Sequence, residues 1–184
     1  MRRRFVAGAV AALVFALGAG AAWSASSPAL SAHGPVTVEG TAATAVFKIG
    51  DTTVRQIRYA DRKTLDYSFV LANDGLLPIT VRGLAPLVQS PTLFEYSDLT
   101  DADGNTEFTI GPRSRQTVTL SMLMTACERL SARAGSFASE VRLRTTGLGS
   151  IGATVLVTLP EEIHTGSPRE ASCPRSTSSS RPRG

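Results

Sequence analysis

This 184-residue chain holds two histidines, two cysteines and a single tryptophan, and aromatic residues make up only 6% of it. The histidines are His33, in a Ser/Ala/Gly/Pro stretch, and His164, beside the C-terminal tail. A Ser-His-Asp triad or a histidine-based zinc site would then have to be assembled from mobile segments, whereas catalytic geometry needs rigid support. No Cys-x-x-Cys pair is present, which removes the usual redox-active dithiol. Met122 and Met124 suggest soft copper ligands, but they continue the apolar face of Val118 and Leu120 and read as core filling. Paired carboxylates for glycoside hydrolysis would have to come from one hairpin turn that lacks the aromatics of a sugar platform. The expectation is a protein that is not an enzyme, with no catalytic residues and no obligatory cofactor.

Charge is unevenly placed. Arg2, Arg3 and Arg4 run into nineteen residues, Phe5 to Trp23, without a charged side chain. At about 1.5 Å per residue a helix of that length spans roughly 28 Å, close to the hydrocarbon thickness of a bilayer. The basic flank predicts that the chain beyond Trp23 lies outside the cytoplasm. Residues 1–23 read as a membrane anchor, with Trp23 at the interface. They also read as a signal segment, in which Phe5 to Leu17 is the apolar region and Ala19-Gly20-Ala21 the cleavage site. The expected location is the cell membrane, single-pass with the domain outside, or the secreted fraction after cleavage. Between Ser24 and Thr165 twelve Lys and Arg face fourteen Asp and Glu, so the domain carries about −2. No basic face for nucleic acid is implied.

Cys127 and Cys173 both lie beyond the export segment, in a compartment where thiols are oxidised, and a disulfide between them is the plain expectation. It would close a loop of about 46 residues, a constraint of roughly 4 kcal/mol on the chain-entropy model.

Residues 24–40 read as a flexible tether because their composition offers too little apolar surface to order itself. Residues 41–165 change to a period near two. Thr44–Ile49, Arg55–Tyr59, Leu65–Ala72, Pro78–Leu84, Leu93–Leu99, Thr106–Ile110, Thr117–Thr125, Ala138–Thr145 and Ala153–Leu159 read as strands, separated by Gly, Pro, Asn and Asp clusters. Leu65, Tyr67, Phe69 and Leu71 share one face, as do Val118, Leu120, Met122 and Met124; Val141 and Leu143 alternate with Arg142 and Arg144. Half-buried antiparallel strands of this kind pack as two sheets. Cys127–Ala134 offers at most a turn or two of helix. The Ser/Pro/Arg-rich stretch 166–184 reads as a disordered tail.

The run Tyr67-Ser-Phe69-Val-Leu71-Ala-Asn73-Asp-Gly75-Leu-Leu-Pro78-Ile79-Thr-Val81 resembles the second and third strands of bacterial extracytoplasmic immunoglobulin-like domains. There an alternating strand ends in Asn-x-Gly and the next begins at a proline. Asn73-Asp74-Gly75 is expected to supply a positive φ, and Pro78 to start a strand where a missing N–H costs least. Ile110-Gly-Pro112-Arg-Ser114 is similar to the turn that feeds a core strand in the same group, with Arg113 where the pattern has glycine. The resemblance spans roughly Leu65 to Leu159 and implies an all-β, two-sheet antiparallel immunoglobulin-like sandwich. Such domains are mostly adhesive, spacer or assembly modules without a shared active site, so no functional residue carries over.

Asp98, Asp101, Asp103, Asn105 and Glu107 form the one dense acidic cluster. Asp101, Asp103 and Asn105, with Gly104 for the bend, offer alternate oxygens of the kind a calcium loop uses. The twelfth position is Pro112 rather than a bidentate glutamate, and the ordinary reading is a hairpin turn. Edge strands offer unpaired backbone to a partner, and Arg55, Arg58, Arg62 and Lys63 flank one candidate edge. Taken together the residues predict a non-catalytic cell-envelope interaction or scaffold module, tied to the cytoplasmic membrane by its N-terminal segment and facing a protein partner. The alternative is a calcium- or small-ligand-binding domain.

Overall fold

The computed structural model describes residues 29–41, 43–87, 93–125, 137–147 and 152–165. Within them the alternating runs become strands of two sheets. The first sheet has the order β1 (Leu30–Glu39), β4 (Thr64–Asn73), β8 (Arg115–Met124), β6 (Phe94–Asp101). The second has the order β2 (Ala43–Ile49), β3 (Thr52–Ile57), β10 (Gly152–Thr165), β9 (Phe137–Thr146), β5 (Ile79–Leu84), β7 (Phe108–Ile110). Together they make an all-β sandwich.

Period two decides which side chains meet between the sheets. Leu65, Tyr67, Phe69 and Leu71 of β4 and Val118, Leu120, Met122 and Met124 of β8 are fully buried, as are Val141 and Leu143 of β9. The intervening Asp66, Ser68, Thr119 and Ser121 bond one another across the outer face: Ser121 Oγ donates to Asp66 at 2.6 Å, and the Ser68 and Thr119 hydroxyls lie 2.8 Å apart. Burial supplies the attraction, and these polar pairs hold the register.

Two tyrosines cross from sheet to sheet. Tyr96 on β6 donates its hydroxyl proton to the Glu140 carbonyl of β9 at 3.0 Å. Tyr67 on β4 reaches β10 where Pro160 cannot supply a ladder N–H and the register shifts between Thr158 and Ile163. Its hydroxyl takes the Glu161 N–H at 3.2 Å and donates to the Glu161 carbonyl at 3.3 Å. Burial pushes both phenols well above their ordinary range. They act as neutral hydrogen-bonding struts across the interior.

Several expectations are corrected. β1 occupies Leu30–Glu39, inside the stretch 24–40 read as a tether. Leu30, Ala32, Val36 and Val38 pack against the core, and the low apolar content of the window as a whole masks this short alternation. The sandwich is mostly antiparallel, but β3 and β10 run parallel over Val54–Ile57 and Glu162–Thr165. The turn after β4 does not use positive φ at Asn73, Asp74 or Gly75; the Asn73 side-chain oxygen accepts the Gly75 N–H at 2.9 Å and closes an Asx turn instead. Arg113, which stands where the pattern has glycine, does adopt the left-handed conformation, with φ 54°. Residues 1–23, Cys127, Cys173 and the tail 166–184 lie outside the described residues, and so does the segment Cys127–Ala134.

Candidate functional site

Two open sheets have four edges, and each edge strand exposes backbone N–H and C=O groups that another chain can pair with. Three of the four are guarded. β7 is three residues long. β6 carries Glu95 and Asp98 and a register shift between Tyr96 and Asp98. β1 contains Pro35 and a shift between His33 and Thr37. Short length, acids, prolines and bulges each spoil a template for strand addition.

β2 is different. It too has a register shift, between Ala43 and Ala45, but from Ala45 to Ile49 it pairs with β3 without a break, Val46 opposite Arg55, Phe47 opposite Val54, Lys48 opposite Thr53 and Ile49 opposite Thr52. Its one charge is Lys48, which makes no ion pair among the described residues. Val46, Phe47 and Ile49 are 50%, 40% and 61% exposed. Cross-strand partners point to the same face, so Phe47 projects on the side where its neighbour Val54 is buried in the core. The six-stranded sheet therefore overhangs the four-stranded one at its β2 margin, with Phe47 and Ile49 on the Val54 side of the overhang and Val46 beside Lys48 on the other.

The surroundings of this edge are polar and already paired. Arg55 Nε donates to Glu161 at 2.6 Å, with a second bond from Nη2 at 3.3 Å, so Arg55 presents no free charge. Arg58 and Lys63 are exposed. Arg62 adopts φ 57° and its guanidinium lies 3.9 Å from Asp61. The four basic residues expected to flank an edge are thus reduced to three that face water near the foot of β3 and the start of β4.

The acidic cluster folds as the turn leaving β6. Asp101 Oδ1 accepts the N–H groups of Asn105 at 2.8 Å and Asp103 at 3.0 Å, and Asn105 Nδ2 approaches both carboxylate oxygens at 3.1–3.2 Å. The Asn105 amide, foremost among these donors, holds the Asp101 carboxyl below the usual carboxylate range. Asp101 and Asn105 are brought together as turn partners, while the Asp103 side chain points to water. Among the described residues no group of three or more His, Cys, Asp or Glu side chains converges on one point.

Ser31 bridges two other polar residues, with Oγ 2.9 Å from His33 Nε2 and donating to Asp74 at 2.5 Å. The hydroxyl, not the imidazole, occupies the middle. Its proton goes to the carboxylate, which leaves His33 as a donor to the oxygen, whereas a triad needs the imidazole to take that proton. His164 stacks on Phe137 with ring centroids 4.5 Å apart. Met122 and Met124 are buried in the core, and Met124 sulfur accepts the Ala60 N–H at 3.4 Å. A shallow depression of about 460 Å³ lies between Arg82, Glu107, Arg144 and Thr154. Its Arg82 is already bonded to Glu107 at 2.7 Å.

Sequence reasoning identifies β2 as a strand but not as an edge. Ala45, Val46, Phe47 and Ile49 are apolar on alternate and adjacent positions, a pattern that locally signals a strand covered on both faces.

No known protein family matches the chain, and no curated protein matches it. Among solved structures, the structural-genomics target SoR45 is similar at 11% identity and a TM-score of 0.34, over 73% of this chain and 86% of that one. The cupredoxin domain of amoB from Nitrosocaldus yellowstonii is similar at 10% identity and a TM-score of 0.28, over 66% of this chain and 65% of that one.

Proposed function

We propose that the protein is a non-catalytic cell-envelope interaction module, an immunoglobulin-like sandwich exposed outside the cytoplasmic membrane, whose working surface is the β2 edge. The observation that carries this reading is the contrast among the four edges: among the described residues β2 alone presents an unbroken five-residue run, Ala45–Ile49, with three exposed apolar side chains and a single charge. The occupant is an extended segment of another envelope polypeptide, added as a strand beside Ala45–Ile49, with apolar side chains over Phe47 and an acidic residue beside Lys48. Lys48 favours such a partner over a second copy of β2, which would bring a second lysine to the same short stretch.

Strand order supports the immunoglobulin-like assignment. The β1-β4-β8-β6 and β10-β9-β5 orders correspond to the A-B-E-D and G-F-C sheets of that fold. The Cys127–Cys173 disulfide belongs to the same proposal. β8 and β10 both run toward the end of the sandwich where Met124 meets Ala60 and Thr165 pairs with Ile57. Two residues separate Met124 from Cys127 and seven separate Thr165 from Cys173, so neither chain has far to travel. Peptide mapping without reductant is expected to recover the two cysteines in one linked fragment; two separate thiol-bearing fragments would remove the disulfide.

Placing a photo-crosslinking phenylalanine analogue at position 47 in the envelope of the producing cell tests the docking edge. The expected result is one discrete adduct from position 47 and none from the exposed outer-face position Leu156. Equal labelling at both positions, no adduct, or an adduct of twice the chain's own mass would each overturn the proposal.

A further inference from the structure

Val141, Leu143 and Thr145 of β9 turn inward and are buried, so Arg144 and Thr146 stand on the outer face of the six-stranded sheet, beside Thr154 and Gly152 of β10. On the other flank the ladder between β9 and β5 shifts between Val81 and Leu84. Gly83 sits in that shift at φ 96° and is buried, and a Cβ built on it would lie 3.7 Å from Arg144 Nη2. A side chain at this position would fill the floor on which the guanidinium lies. The bulge and the missing side chain together leave the depression of about 460 Å³ described above. Its charges do not balance. Arg82 Nη1 donates to Glu107 at 2.7 Å, but the two side chains are 50% and 54% exposed, and a pair so placed contributes little and opens readily. Arg144 has no carboxylate partner among the described residues; its one hydrogen bond there runs from Nη2 to the Arg82 carbonyl, at 3.4 Å. Two guanidiniums and one carboxylate leave a single positive charge in a concavity walled by threonine hydroxyls.

We infer that this depression binds an acidic glycan through the carboxylate of a uronate residue, whose two oxygens take the Arg144 fork while its ring hydroxyls meet Thr154 and Thr146. A planar guanidinium with unused donors matches a carboxylate in bidentate fashion. One net positive charge suits one carboxylate, whereas a phosphate dianion would set its second charge against Glu107. A peptide is the poorer fit. The depression lies on a sheet face, where β9 is flanked by β10 and β5, and β5 by β9 and β7, so an extended chain finds no free strand edge to join. Its walls are arginine, glutamate, threonine, glycine and alanine, which offer donors and acceptors to a hydroxylated ring and no apolar socket to a side chain. β2 lies at the opposite margin of the same sheet, separated from β5 by β3, β10 and β9. The glycan site and the docking edge can therefore be filled together.

Titration of the full chain in neutral detergent micelles with trigalacturonate at low ionic strength, followed through amide and arginine Nε–H resonances, tests the site. Saturable shifts are expected at Arg82, Gly83, Arg144 and Thr154, with none from the neutral galactose trisaccharide. Arg144→Gln is expected to weaken binding about tenfold or more at an unchanged melting temperature. Glu107→Gln is expected to tighten it about threefold, because Arg82 is then released from its carboxylate. Inorganic phosphate that moves the same resonances at equal or lower concentration, an equal response to the neutral trisaccharide, or a Glu107→Gln chain that binds more weakly would each overturn the uronate assignment. An Arg144→Gln chain that binds like the parent, or the absence of any saturable shift, would remove the site and leave the β2 edge as it stands.

Discussion

Replacing Gly40 with alanine is expected to lower the stability of the domain by about 3–5 kcal/mol and its melting temperature by roughly 10–15 °C. Gly40 turns the chain from β1 of one sheet toward β2 of the other, at φ 84°. A Cβ placed there would stand 2.1 Å from the Thr64 carbonyl oxygen and 3.6 Å from the Leu65 Cα. These are backbone atoms at the start of β4, whose Leu65 is sealed in the core, so nothing nearby rotates away. Left-handed backbone alone costs an ordinary residue about 1–2 kcal/mol, and relieving the overlap means displacing either the crossover or the central strand. Gly104 provides the control, with φ 82° and no atom within 4 Å of where a Cβ would sit. Gly104→Ala is expected to cost only about the conformational penalty, near 1 kcal/mol. Equal losses from the two substitutions, measured by urea unfolding, would contradict the close approach of β1–β2 to β4.

Asn73→Ala is expected to cost about 3 kcal/mol, although the change removes only a few atoms. The Asn73 side chain is 1% exposed and joins three segments. Its Nδ2 approaches the carbonyls of Leu77 at 2.8 Å, Ile110 at 3.1 Å and Gly111 at 3.0 Å, while Oδ1 takes the Gly75 N–H. Alanine leaves these backbone groups without the partner that replaced water. Asn73→Asp separates the two functions of the amide, because it preserves the acceptor for Gly75 and turns a negative oxygen toward three carbonyls. That environment raises the carboxyl's folded pKa above its unfolded value near 4. The Asp variant is therefore expected to be relatively most stable below the unfolded pKa and to lose stability as pH rises through the folded one. Chemical unfolding at pH 4 and pH 7 checks the sign; greater relative stability at pH 7 would contradict the assigned hydrogen bonds.

Much of the sandwich is legible in alternation, because the core is built from rows that obey it strictly. Leu65 to Leu71 and Val118 to Met124 can be read from the residues alone, as can the hairpin character of Asp101 to Asn105. Three features cannot. β1 hides in a Ser/Ala/Gly/Pro context, where its few apolar side chains matter only because β4 lies beside them. The parallel β3–β10 pair joins residues about a hundred positions apart, and no local pattern announces such a partner. The Asn73 linkage depends on carbonyls from Leu77, Ile110 and Gly111, two of which belong to a distant turn. The candidate site shares this difficulty, since whether a strand is an edge is decided by what the rest of the chain leaves beside it. Composition shows what chemistry the chain is poorly supplied for, with two histidines and aromatic residues at 6%.

Strand addition at β2 is read by hydrogen exchange, comparing the amides of residues 45–49 in purified protein with the same amides in intact envelopes. Those amides of β2 that point away from β3 should exchange quickly in the purified chain and at least about tenfold more slowly in the envelope, with β7 and β1 unaffected. Identical β2 exchange in both preparations would mean that this edge receives no strand.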